Sequence, residues 1–116
     1  MFFPESRLRV FVYGQPVDMR KSFDGLYALA KHQLHQDPAS GHLFVFINRR
    51  GNYLKSLYWD RSGYCLWAKR LEAGTFVRNW PGFSSRELDW TQLKLLLEGI
   101  EITQIKRHHR YPTKAA

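Results

Sequence analysis

Four carboxylates in this chain could in principle hold a divalent cation: Asp18, Asp24, Asp60 and Glu72. Metal-dependent nucleases and transposases cluster carboxylates of this kind around Mg²⁺. Here most have a simpler local explanation. Asp18 precedes a helix-like stretch and reads as an N-cap, Asp60 opens the turn DRSG, and Glu72 stands two residues from Arg70 as an ion-pair partner. His108 and His109 fall in a basic tail with too little apolar content to fold. No metal constellation survives, no catalytic residue emerges, and no cofactor is implied. The single cysteine, Cys65, excludes an intramolecular disulfide and a four-cysteine zinc site. With apolar neighbours and no histidine close in sequence, it reads as an inert thiol.

Cations are the better lead. The chain has 116 residues, with 18 Lys or Arg against 10 acids and a net charge of +8, a field that favours polyanions. The tail KRHHRYPTKAA (106–116) holds four of those cations, Lys106, Arg107 and Arg110 among them, so residues 1–105 keep +4. Such an arm can bind nucleic acid through counterion release, or can simply be a solubilising end. Arg49 and Arg50 sit in the turn NRRGN, where a guanidinium pair could straddle phosphates; the plain alternative is a solvated turn. Arg20 and Lys21 fall in the expected first turn of a helix, where cations oppose the macrodipole and call for a partner such as Asp24 at i+4. Lys55 lies in a strand-like stretch. Lys69 and Arg70 point to opposite faces if their segment is a strand, so at most one joins a given patch.

The stretch YWDRSGYCLWAKRLEAGTF (58–76) interleaves aromatic and cationic residues. Pairing residues 53–60 with 64–71 across DRSG, with Trp59 opposite Tyr64, divides the hairpin into two faces. One carries Lys55, Leu57, Trp59, Tyr64, Leu66 and Arg70; the other carries Leu54, Tyr58, Cys65, Trp67, Lys69 and Leu71. Neither face is cleanly polar, so both must be covered or leave aromatics showing. Core packing with snorkelling cations is the plain reading. A stacking surface or a protein anchor built on Trp59, Tyr64 and Trp67 is the functional one.

Local signals place these residues on elements. LRVFVY (8–13) reads as a strand. Asp18 begins a helix whose stripe is Met19, Phe23, Leu26, Ala30 and Leu34; Gly25 inside it permits a close contact. HLFVFI (42–47) reads as a central strand buried on both faces, and YLKSLYWD (53–60) and YCLWAKRLEAG (64–74) as two more. Asp89 with Gln92 resembles a capping box for a second helix stopped by Gly99, with Ser84 and Glu87 as another start. The order β-α-β-β-β-α predicts an α+β fold: a small antiparallel meander with two main helices packed on it. The length suits one domain over residues 1–105 followed by the tail. The chain is 44% hydrophobic and 16% aromatic, without an apolar run of about 18 residues or a signal-peptide pattern, so it reads as cytoplasmic with no membrane partner.

The segments VDMRKSFDGL (17–26), FVFINRRGNYLKSLYWDRSGYCLWAKRLEAGTF (44–76) and LKLLLEGI (93–100) carry a resemblance. They look like the TnpB-type accessory protein encoded by the second open reading frame of bacterial insertion-sequence family sixty-six. The likeness spans roughly residues 8–102 and leaves the tail outside. It implies a noncatalytic factor in transposition, acting beside a larger protein that carries the catalytic acids. It transfers no catalytic residue. Arg20, Lys21, Arg49, Arg50, Lys55, Lys69 and Arg70 match the family's basic positions, and their contact with DNA is a physical inference. Expected partners are therefore DNA and the transposase with other insertion-sequence proteins, homo-oligomerisation being left open. The alternative is an interaction module that docks onto the transposase and touches DNA little.

Overall fold

Residues 43–47, LFVFI, form the strand that two layers of core share, and all five are buried. Alternation sends Leu43, Val45 and Ile47 to one side of the sheet and Phe44 and Phe46 to the other. A strand buried on both faces needs cover on both, and each face receives one helix. The structure is a computed structural model describing residues 9–76 and 85–98. In chain order its elements are β1 (Val10–Tyr13), α1 (Phe23–His32), β2 (Leu43–Ile47), β3 (Tyr53–Asp60), β4 (Gly63–Arg70), β5 (Ser85–Leu88) and α2 (Trp90–Leu97). Leu26 and Ala30 of α1 close over Phe11, Phe44, Phe46 and Leu57. Leu93 and Leu96 of α2 close over Val10, Val12, Val45 and Leu54 on the opposite face.

The α+β class stands, but the purely antiparallel meander does not. The sheet has five strands in the order β4-β3-β2-β1-β5, and β1 pairs with β2 in parallel, Val10 opposite Leu43. A parallel neighbour requires a crossover of a dozen or more residues, usually helical, and α1 supplies it. The β2-β3-β4 part is the expected meander. A fifth strand stands where Ser84 and Glu87 offer an alternative helix start in the sequence. Glu87 instead lies opposite Phe11 in an antiparallel pair, and its carboxylate takes a bidentate pair of hydrogen bonds from Arg9 at 2.7 and 2.8 Å. Leu88, 2% exposed, joins the core.

Helix boundaries divide similarly. Asp89 accepts the Gln92 N–H while the Gln92 side chain accepts the Asp89 N–H, so the expected capping box is formed. The first helix starts later than Asp18: its N-cap is Ser22, without a side-chain cap bond. Asp18 spends its carboxylate on the Arg20 N–H, two residues on, at 2.9 Å. Short acidic side chains favour that local bond, which competes with helix initiation. Gly25 does permit a close approach, since a Cβ there would stand 3.1 Å from Cβ and Cγ of Lys21.

Among the described residues Ser56 is the buried polar side chain, 1% exposed, and its hydroxyl finds no hydrogen-bond partner there. It lies between Val45 and Trp67 in the sheet register. A buried unpaired hydroxyl is a desolvation cost with no return. Ser56→Ala should therefore leave the protein as stable or raise stability by up to about 1 kcal/mol, read as an unchanged or higher denaturation midpoint.

Candidate nucleic-acid interface

The turn between β2 and β3 is a β-turn, with the Gly51 N–H donating to the Asn48 carbonyl at 3.1 Å. Arg49 and Arg50 are its two corner residues, and both are exposed. Gly51 takes φ +77°, which glycine adopts at little cost. The Asn48 side chain accepts from the N–H groups of Asn52 and Tyr53 at 3.0 and 3.1 Å, and donates to the Asn52 side chain at 2.9 Å. Asn48 thus braces the turn from its base.

The loop before α1 is tied to the same end of the sheet. The Val17 N–H donates to the Ile47 carbonyl at 2.9 Å. Pro16, Val17, Asp18 and Met19 then face Asn48, Arg49 and Arg50 across an open cleft of about 490 Å³. From β3, the Lys55 ammonium donates to the carbonyls of Met19 at 2.7 Å and Lys21 at 2.9 Å. Residues far apart in sequence, Arg20, Lys21, Arg49, Arg50 and Lys55, are therefore gathered at one end of the molecule.

Their roles in that cluster differ. Lys55 is a strut whose ammonium is occupied by backbone carbonyls, so it adds positive field more than a direct contact. Arg20 and Lys21 precede the helix instead of lying in its first turn. Arg20's partner is Asp18, at 2.6 Å, in place of Asp24. The Arg20 side chain nonetheless remains 90% exposed, leaving it able to exchange that carboxylate for a phosphate. Arg70 makes no ion pair with Glu72 among the described residues; its guanidinium lies 5.9 Å from the Tyr53 ring centre. Lys55 stands 6.0 Å from the same ring, which puts Tyr53 between two cations. Tyr53 is not among the sequence-based candidates, although period-two alternation places it on the Lys55 face.

Lys69 points to the other face, as the strand geometry requires. There its ammonium donates to the Leu97 carbonyl at 2.9 Å and caps the C-terminus of α2, a favourable place for a cation. It is spent on structure, apart from the cluster. Lys106, Arg107 and Arg110 lie outside the described residues.

The aromatic trio also divides. Trp59 faces Tyr64 in the sheet register, and their rings meet edge-on at 4.9 Å; Tyr64 meets Tyr27 of α1 at 5.6 Å. Lys31 sits 5.9 Å from the Tyr27 ring. Trp67 is on the opposite face, packed half-buried against the α2-side core. One continuous patch of all three is thus excluded. Phe23, 44% exposed, is the large hydrophobic side chain left open among the described residues.

Asp18 supplies a pH marker for the cluster. Its side-chain hydrogen bonds from Arg20, then the Arg20 backbone N–H, hold its carboxyl down to about 2. A depressed carboxylate keeps its pairing above the ordinary carboxylate range and loses it as pH falls through that value. An NMR titration should place the Asp18 carboxyl midpoint at about 2, and Arg20→Ala should move it upward.

Among the described residues no three metal-ligating side chains gather, and no helix is long and apolar enough to cross a membrane. Residues 8–107 match the family described as "IS66 Orf2 like protein". The chain belongs to that family. The IS66 Orf2-like family is one of insertion-sequence accessory proteins and is not a known enzyme class. The chain is similar to uncharacterized protein y4jC of Sinorhizobium fredii, 38% identical over 117 residues and covering 100% of both chains. It is likewise similar to uncharacterized protein y4hO of the same organism, 38% identical over 96 residues, or 81% of this chain and 82% of that one. No solved structure matches. Within this family frame, the basic end of the sheet is the feature that calls for a functional account.

Proposed function

We propose that this IS66 Orf2-like protein is a noncatalytic DNA-binding accessory factor that acts with a separate transposase. The observation that carries the reading is the tie between the residue 17–21 loop and the β2–β3 end of the sheet. It brings the segment bearing Arg20 and Lys21 and the turn bearing Arg49 and Arg50 to the same end of the sheet, with the Lys55 ammonium held on the loop's carbonyls. Guanidinium groups on a braced turn lose little freedom when they meet phosphates, and such contacts read backbone rather than base sequence. The tail cations Lys106, Arg107 and Arg110 would extend the contact as a nonspecific arm. Gel-shift titrations against duplex DNA over a range of salt test this. If about six phosphates are neutralised, log affinity should fall with log salt at a slope of about −5. Undetectable binding at low salt would remove the proposal.

A second reading, docking onto the transposase, is favoured by exposed Phe23 one helical turn before Tyr27, beside Trp59 and Tyr64. Its signature is a folded Trp59→Ala variant that loses transposase capture and keeps duplex binding. An Arg49→Ala/Arg50→Ala variant would show the opposite pattern.

A further inference from the structure

Helix α1 runs along β3 and β4 from one end of the hairpin to the other. Just before its N-cap, the Lys21 carbonyl accepts from the Lys55 ammonium, and Tyr27, further along the helix, meets Tyr64. Its apolar stripe covers the β2 side of the sheet, through Phe44, Phe46 and Leu57. Beyond it, on the same face, β4 stays open: Ala68 and Arg70 are exposed, and Tyr64 and Leu66 are half-buried. β4 is also an edge of the sheet. A strip results, with Tyr53 and Arg70 at one end, Trp59 and Tyr64 at the other, and α1 as a wall.

Cations stand beside the strip: Lys21 and Lys31 on the helix side, Arg70 on β4, and Lys55, whose ammonium is held by backbone carbonyls. The described carboxylates nearby are Asp24 on α1, Asp18, which interacts with Lys21, Glu72 two residues past Arg70, Asp60 at the far hairpin end, and Asp37, close enough to act on Tyr64. Six residues of strand separate Tyr53 from Trp59, about 20 Å. That is room for the shorter end of the roughly 4–16 nucleotides an aromatic–cationic groove accommodates. Aromatic rings in such a groove can serve bases only when those bases are unpaired, because a duplex hides their faces. Phosphate contact alone would need only the β2–β3 turn.

We propose that the α1-side face of β3 and β4 binds single-stranded DNA, bases stacking on Trp59 and Tyr64 and phosphates meeting Arg70, Lys21 and Lys31. This rests on the DNA-contact reading above and gives it a strand preference. The full chain is titrated by fluorescence anisotropy with a labelled dT oligonucleotide of about 12 nucleotides and with a duplex of the same length. Tighter binding of the single strand is expected. Trp59→Ala should weaken it roughly 5- to 100-fold and leave duplex binding within about twofold. Ala68→Glu places a carboxylate on an exposed position of the strip and should act in the same direction without touching the core. Preference for the duplex, or dT binding unchanged in both folded variants, overturns the strip while leaving DNA contact standing. Loss of transposase capture in Trp59→Ala with dT binding intact assigns the surface to protein instead. Binding of neither DNA removes the underlying reading as well.

Discussion

Replacing Arg49 and Arg50 together with alanine should reduce the salt dependence of DNA binding by about two in slope. Each guanidinium that meets a phosphate releases condensed counterion, so each loss lowers the slope by about 0.9. At about 0.1 M salt the same arithmetic gives up to roughly a 50-fold loss of affinity. Stability should hardly change, because both side chains are exposed and the turn is built by Asn48 and Gly51. Unchanged slope in the double variant would move the interface away from this turn. Asp18→Asn provides the converse. It keeps the acceptor for the Arg20 N–H but releases the Arg20 guanidinium from its carboxylate, so affinity should rise and the slope should steepen by about one.

The largest effect on stability should come from Phe44→Ala. Phe44, the second residue of β2, is fully buried and stacks on Phe11 with ring centres 5.7 Å apart and planes 16° apart. Its ring also belongs to the cluster that α1 closes, so removing it leaves a cavity between sheet and helix. Truncations of buried phenylalanine cost about 3–5 kcal/mol, a large share of the roughly 5–15 kcal/mol that holds a domain together. Thermal denaturation should show a midpoint roughly 10–20 °C lower. Phe23→Ala, on the same helix-bearing face but open to water, should move the midpoint far less. Equal shifts for the two would mean that the assigned burial is wrong.

The division between legible and illegible features follows the range of the forces. Residues 42–47 announced a doubly buried strand because continuous apolarity has few other outlets, and β2 is buried throughout. The hairpin register, Trp59 opposite Tyr64, was legible because a tight turn at DRSG leaves few registers open. Asp89 and Gln92 found each other because a capping box is closed within four residues. Parallel pairing of β1 with β2 had a signal too, in the strand–helix–strand order, which by itself does not fix the direction of the pair. β5 had almost none: SREL is short, and its strand form depends on β1 and on Arg9 across the sheet.

Sequence alone therefore settled the elements whose stabilising contacts lie within a few residues of one another, and with them the family and the basic character of the surface. Tertiary structure alone decided how the cations were used. Lys55 and Lys69 look alike on paper, yet one braces a loop and the other caps a helix, because the fold puts different backbone carbonyls within hydrogen-bond reach of each ammonium. Arg20, Lys21, Arg49 and Arg50 met at one end of the sheet only because the Val17–Ile47 backbone bond and the Lys55 ammonium carried the 17–21 loop there. Such long-range pairings depend on which strands neighbour which, and no short window of residues contains that information.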